Sequence, residues 1–168
     1  MSAKTVPTLG GGETMLSTGP GLLAGCKILT LEGYTPVAEL KPGARVITRS
    51  GMKRLVALKK STQRFKAVSV TAGSLGYTRP SRDLQLAPGQ EVMVRDWRAE
   101  ILFGRDAVVT RIDRLLDEKY IFSASTASDH EVFELEFESQ EVFYADGVEL
   151  VSKATIAIDA DLPVFEAA

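Results

Sequence analysis

The chain has 168 residues, 45% hydrophobic and 25% charged, with a formal net charge of −2. This balance suits one soluble domain large enough to bury a core without staples, and it lacks the basic excess that a nucleic-acid partner requires. A single cysteine excludes an internal disulfide, and no apolar run is long enough for a membrane-spanning helix.

Residues 1–20 carry Gly10, Gly11, Gly12, Gly19 and Pro20 among Ser and Thr. Such a composition buries too little apolar surface to order itself, so a flexible arm with at most a short added strand is expected there. The stretch has no charged start followed by an apolar run, so no cleaved secretory signal is expected. The expected location is cytoplasmic, or outside the cell by a route that needs no such signal.

From there to about residue 155 the dominant period is two. Strands are predicted at Lys27–Leu31, Arg45–Arg49, Leu55–Ser61, Lys66–Ala72, Glu91–Arg95, Ala107–Thr110, Val142–Ala145 and Val148–Ser152. Phe133, Leu135 and Phe137 alternate with Glu134, Glu136 and Glu138, which makes one strand apolar on one side and acidic on the other. The acidic row reads as a solvated face that also discourages edge pairing.

Gly- and Pro-bearing turns separate the strands. Asp146-Gly147 between two apolar runs is a type I′ hairpin signal. The spacing of Ile112, Leu115 and Leu116 predicts one short helix, and Pro36–Leu40 a helical turn. The expected class is all-β, with residues 156–168 as a C-terminal tail.

Candidate chemistry is sparse. Gly19-Pro20-Gly21-Leu22-Leu23-Ala24 formally fits the dinucleotide fingerprint G-x-G-x-x-A, but no strand precedes it and Gly33 follows too soon for a long helix. Cys26 is either a nucleophile or a small buried hydrophobe. The sole histidine, His130, would have to meet it across the fold to form a dyad. One Cys and one His do not make a closed zinc set, so neither metal nor cofactor is expected.

Four stretches in order give a more specific signal. The first runs from Ala24-Gly25-Cys26-Lys27-Ile28-Leu29-Thr30-Leu31-Glu32-Gly33 into Thr35-Pro36-Val37-Ala38-Glu39-Leu40-Lys41-Pro42-Gly43-Ala44-Arg45-Val46. The second is Ser81-Arg82-Asp83-Leu84-Gln85-Leu86-Ala87-Pro88-Gly89-Gln90-Glu91-Val92-Met93-Val94, and the third Arg98–Gly104. The fourth is Gln140-Glu141-Val142-Phe143-Tyr144-Ala145-Asp146-Gly147. Together they resemble the Hint family, the fold shared by hedgehog autoprocessing domains and inteins, and in particular its bacterial branch. The resemblance covers about residues 21–152, with Ala44 where the family usually has aspartate.

The resemblance implies a compact antiparallel β fold with pseudo-two-fold symmetry and one or two short helices, over residues 21–155. It also implies a chemistry. In active members a Cys or Ser at the first position attacks the preceding carbonyl in an N–S or N–O acyl shift. A histidine in the second motif polarises that amide and protonates the leaving nitrogen, and the ester or thioester is then cleaved. Carried over position by position, the nucleophile falls on Gly21, the second-motif histidine on Gln90 and the fourth-motif histidine on Gln140.

None of the three can attack a carbonyl or exchange a proton near neutral pH. The expectation is therefore a domain that has lost self-cleavage and acts as a structural or interaction module, its partner an unidentified protein or flanking domain. A shifted register, with Cys26 heading the domain and Gly25–Cys26 as the scissile bond, is the active alternative. An unrelated β-barrel binding module is the third reading.

Overall fold

Alternating apolar residues and frequent turns allow only short strands, and the computed structural model, which describes residues 15–154, shows how they join. In chain order the elements are β1 (Lys27–Thr30), β2 (Gly33–Pro36), β3 (Arg45–Thr48), β4 (Gly51–Arg54), β5 (Ala57–Phe65), β6 (Val68–Val70) and β7 (Leu84–Leu86). They continue with β8 (Glu91–Val94), α1 (Trp97–Phe103), β9 (Val108–Arg111), β10 (Ile121–Ser123), β11 (Ser128–Phe137), β12 (Val142–Ala145), β13 (Val148–Val151) and β14 (Lys153–Ala154). Two 3-10 turns, Val37–Glu39 and Ile112–Leu115, complete the set. The fold is all-β, as the period-two pattern requires.

The largest sheet has the order β2-β1-β3-β12-β13-β8-β9, with β4 on β3 and a second pairing of β1 with β12. Its centre is the β12–β13 hairpin. Asp146 and Gly147 both have positive φ there (50° and 90°), and Ala145 pairs with Val148 across the two-residue turn. This is the type I′ geometry that matches strand twist. All four residues of β13 are buried, as a central strand demands.

Two smaller sheets, β10-β6-β7 and β14-β11-β5, flank it. In the second, β5 and β11 form a long antiparallel ribbon in register from Ala57↔Glu136 to Phe65↔Ser128. Phe133, Leu135 and Phe137 point into the core, while Glu134 on the other face pairs with Lys153 at 2.7 Å.

One expectation needs adjusting. The helix expected around residues 110–118 is a strand end followed by the single 3-10 turn Ile112–Leu115, whose Ile112 and Leu115 are buried. The regular helix is α1 instead, capped by the Asp96 carboxylate accepting from the Arg98 N–H at 3.0 Å.

One further segment ties the sheets together. The Leu22 N–H donates to the Phe133 carbonyl at 2.8 Å, and the Phe133 N–H returns to Leu22 at 2.9 Å. Leu22 also bridges Leu86 of β7. Residues 17–22 thus form a strap that crosses both small sheets before the chain enters β1. Of the arm expected over residues 1–20, residues 1–14 lie outside the described residues, as does the tail expected over 156–168.

Candidate functional site

The strap is gripped by the turn before β8. The Gly89 N–H donates to the Gly19 carbonyl at 3.0 Å, and the Ala87 N–H donates to the Gly21 carbonyl at 3.0 Å. Gly89 must be glycine for this approach, because a Cβ there would stand 2.1 Å from the Thr18 carbonyl oxygen.

Gln90 follows, 3% exposed. Its Oε1 accepts the Gly21 backbone N–H at 3.0 Å. Its Nε2 donates to the Glu91 carbonyl at 3.0 Å and to the Val151 carbonyl at 3.1 Å. The two carbonyls fix which way the amide points, leaving its oxygen to face the strap. Gln90 therefore touches the nitrogen of the Pro20–Gly21 peptide bond, the amide that the resemblance assigns to scission.

Gly21 leaves no room for a side chain. Its φ is +145°, and a Cβ would lie 2.0 Å from Cγ1 of Val132, which is buried on β11. Any larger residue must displace Val132 and accept a backbone conformation that L residues rarely adopt.

The third transferred position, Gln140, is half-buried just before β12. Among the described residues it makes no hydrogen bond to Gln90 or Gly21. The link is indirect. Val142, two residues on, pairs with Val151, whose carbonyl holds Gln90. The neighbouring Glu141 is buried, accepting from Ser50 Oγ at 2.6 Å and Ser139 Oγ at 2.8 Å, with Lys53 Nζ 4.0 Å away.

Cys26 follows the strap in the chain and is 1% exposed. Its thiol donates to the Gln85 carbonyl at 3.5 Å, and its pKa is pushed up to about 12 by burial and then by the negative charge of Asp146. Such a thiol is almost never a thiolate at neutral pH. A surface depression of about 350 Å³ opens beside Gly25, but its walls are Leu23, Gly25, Arg82, Gln85 and neighbours, without Cys26.

The Gly25 carbonyl accepts Arg82 Nη2 at 2.6 Å, and Arg82 Nε sits 3.0 Å from Asp146 Oδ1. Asp146 Oδ2 takes the Lys27 N–H at 3.2 Å. His130 is occupied elsewhere, stacked on Phe65 with ring centroids 4.7 Å apart and bonded to Ser128 Oγ at 3.0 Å. The structure does not bring Cys26 and His130 together.

Among the described residues no group of three or more His, Cys, Asp or Glu side chains is placed to hold a metal ion, and no helix is long and apolar enough to cross a membrane. The Gly21–Gln90 contact spans 69 positions of sequence. No local spacing signals it, and only the motif correspondence pointed there.

The chain is thus an all-β domain in which residues 17–22 are threaded across the two small sheets, with a buried polar side chain on the nitrogen of the Pro20–Gly21 peptide bond. The family model described as the Hint domain matches residues 20–155, and the chain belongs to that family. The reading as an unrelated β-barrel is thereby set aside.

Solved structures agree on the fold. The Ssp DnaB mini-intein variant M86 is similar with a TM-score of 0.53 at 14% identity, covering 86% of this chain and 99% of the intein. The DnaB intein from Synechocystis sp. PCC 6803 gives 0.53 at 12%, covering 80% and 99%. The gp41-1 intein gives 0.51 at 12%, covering 80% and 98%. No curated protein matches the sequence.

Proposed function

We propose that this Hint domain does not cut itself and serves as a structural or interaction module, with its leading segment clamped where an active relative would break it. The observation that carries this reading is the contact between Gly21 and Gln90. The Gly21 amide N–H donates to the Gln90 oxygen, an acceptor that, unlike an imidazole, cannot deliver a proton to the leaving nitrogen near neutral pH. The residue that would attack has no side chain, and its surroundings leave no space for one. An acyl shift needs a nucleophile and an acid in the same place, and this centre offers neither.

The alternative through Cys26 finds less support. Its sulfur is buried and protonated, and the Gly25 carbonyl it would attack is bonded to Arg82. The backbone there is also part of a stable turn, with the Cys26 N–H donating to the Leu23 carbonyl at 3.1 Å.

Intact-mass spectrometry tests the reading. The full chain, incubated with dithiothreitol or hydroxylamine, is expected to keep a single mass, as is the Gly21→Cys/Gln90→His double variant. Fragments from a break at Gly25–Cys26 that vanish in Cys26→Ala would replace this reading with the active one. A break at Pro20–Gly21 in the unaltered chain would overturn it outright.

A further inference from the structure

On the outer face of the large sheet, three arginines converge on one carboxylate. Glu149, at the centre of β13, is 4% exposed at its side chain. Arg95 reaches it with Nε at 2.7 Å from Oε1 and Nη2 at 3.3 Å from Oε2. Arg49 Nη1 lies 3.1 Å from Oε2, and Arg79 Nη1 lies 3.5 Å from Oε1. Against one negative charge stand three positive ones, a local excess of +2 on a chain whose net charge is −2.

Two of the nearby acids are engaged elsewhere, while Glu100 and Asp106 line the depression on the Tyr77 side of Arg95 together with Arg105. Asp96 is paired with Arg98 at 2.5 Å, and Asp146 with Arg82 at 3.0 Å. Glu149 uses only part of each guanidinium. Among the described residues Arg49 Nε and Nη2, Arg79 Nη2 and Arg95 Nη1 have no partner. The arginine side chains are 42%, 22% and 32% exposed respectively, so they keep an open side.

Because Glu149 holds them in place, these forks are ordered before any ligand arrives, which removes much of the side-chain entropy cost of binding. Tyr77, 80% exposed, lies beside Arg79 with the guanidinium 5.6 Å from its ring centroid. Met93 lies beneath, its sulfur 3.6 Å from Arg49 Nη1 and 3.3 Å from Arg95 Nη2.

We propose that Arg49, Arg79 and Arg95 form a docking site for an acidic segment of a partner protein, whose carboxylates take up the unused guanidinium donors. Planar, ordered forks match carboxylates in bidentate fashion. The site is independent of whether the domain cuts itself, because none of these residues touches the strap.

The test uses the full chain with ¹³C-methyl-labelled methionine and a fluorescent octaglutamate peptide. Saturable binding that moves the Met93 methyl signal and weakens with salt is expected. Arg49→Gln should loosen it about tenfold or more, the loss of one charge-assisted hydrogen bond. Glu149 keeps Arg79 and Arg95 in that variant, so the fold is retained, which a thermal melt checks. Arg49→Lys, with its charge but no fork, should fall between.

A Met93 signal that does not move would overturn the proposal. So would a Lys59→Gln control on β5 that weakens binding as much as Arg49→Gln does. Inorganic phosphate that shifts Met93 while octaglutamate does not would assign the site to a free anion and also overturn the proposed peptide partner.

Discussion

At position 90 the amide oxygen and both amide hydrogens of glutamine are used, which sets what can replace it. Alanine would leave the buried Val151 carbonyl and the buried Gly21 N–H without these bonds, so Gln90→Ala should cost about 1–3 kcal/mol in chemical denaturation. Gln90→His should cost stability as well. A neutral imidazole has one donor for two carbonyls, and a charged one has no acceptor for Gly21. Gly21→Ala adds a Cβ to a site already filled by Val132 and a positive φ, and should cost about 2–5 kcal/mol. Val132→Ala should recover part of that, a coupling that a double-mutant cycle measures. If Gly21→Ala were neutral, the strap would not be clamped.

The Cys26 thiol makes a separate prediction at the same scale. Burial pushes its pKa in the folded chain up to about 12, from the ordinary thiol value of 9.0. Above pH 9 the unfolded chain therefore releases a proton that the folded chain retains, and stability falls as pH rises from 9 toward 12. Comparing urea unfolding of the native chain and Cys26→Ala cancels the other alkaline groups. The stability advantage of the native chain should be full below pH 9 and shrink above it. A constant gap would mean that the sulfur is not held in its protonated form by the fold.

At the scale of elements, the β12–β13 hairpin concentrates several tasks in Asp146. The residue closes the turn with positive φ, accepts the Lys27 N–H and faces Arg82. Asparagine tolerates the φ and can still accept, losing only the ion pair between the buried Asp146 carboxylate and the half-exposed Arg82. Alanine loses all three roles and should cost about 2–3 kcal/mol. Thermal melting of Asp146→Asn beside Asp146→Ala checks the ranking.

This hairpin was fully legible, because Asp-Gly between apolar runs has one good solution. The inward alternation of β11 was legible for the same reason of period. The strands β2 and β4 were not, since glycine and proline at their ends read as turn chemistry. The helix α1 escaped as well, although Asp96 before it and Gly104 after it are proper end signals. Its exposed Trp97, Ile101 and Leu102 break the amphipathic pattern that marks a helix. Of the candidate site, the residue types were readable through the motifs. The closure of Gln90 onto Gly21 depends on how the sheets stack, which no local period encodes.

At the scale of the whole molecule, three sheets that the chain enters in turn must be held in one arrangement. Leu22 does much of this. Its side chain is 1% exposed within the main core, and its backbone pairs with Phe133 on one small sheet while bridging Leu86 on the other. Leu22→Ala leaves those backbone bonds intact and removes only the buried side chain. It should nevertheless cost about 2–5 kcal/mol through lost transfer energy and the cavity left behind.

The distribution of the damage matters more than its size. If the strap joins the sheets into one cooperative unit, amide hydrogen exchange should quicken together at Leu86 and Phe133, and at Gly21 between them. Faster exchange confined to one small sheet would mean that the strap is merely attached to that sheet. A joint change would instead show why its glycine and glutamine are fixed so firmly: the segment that an active relative would break is, in this chain, the tie that keeps its sheets in place.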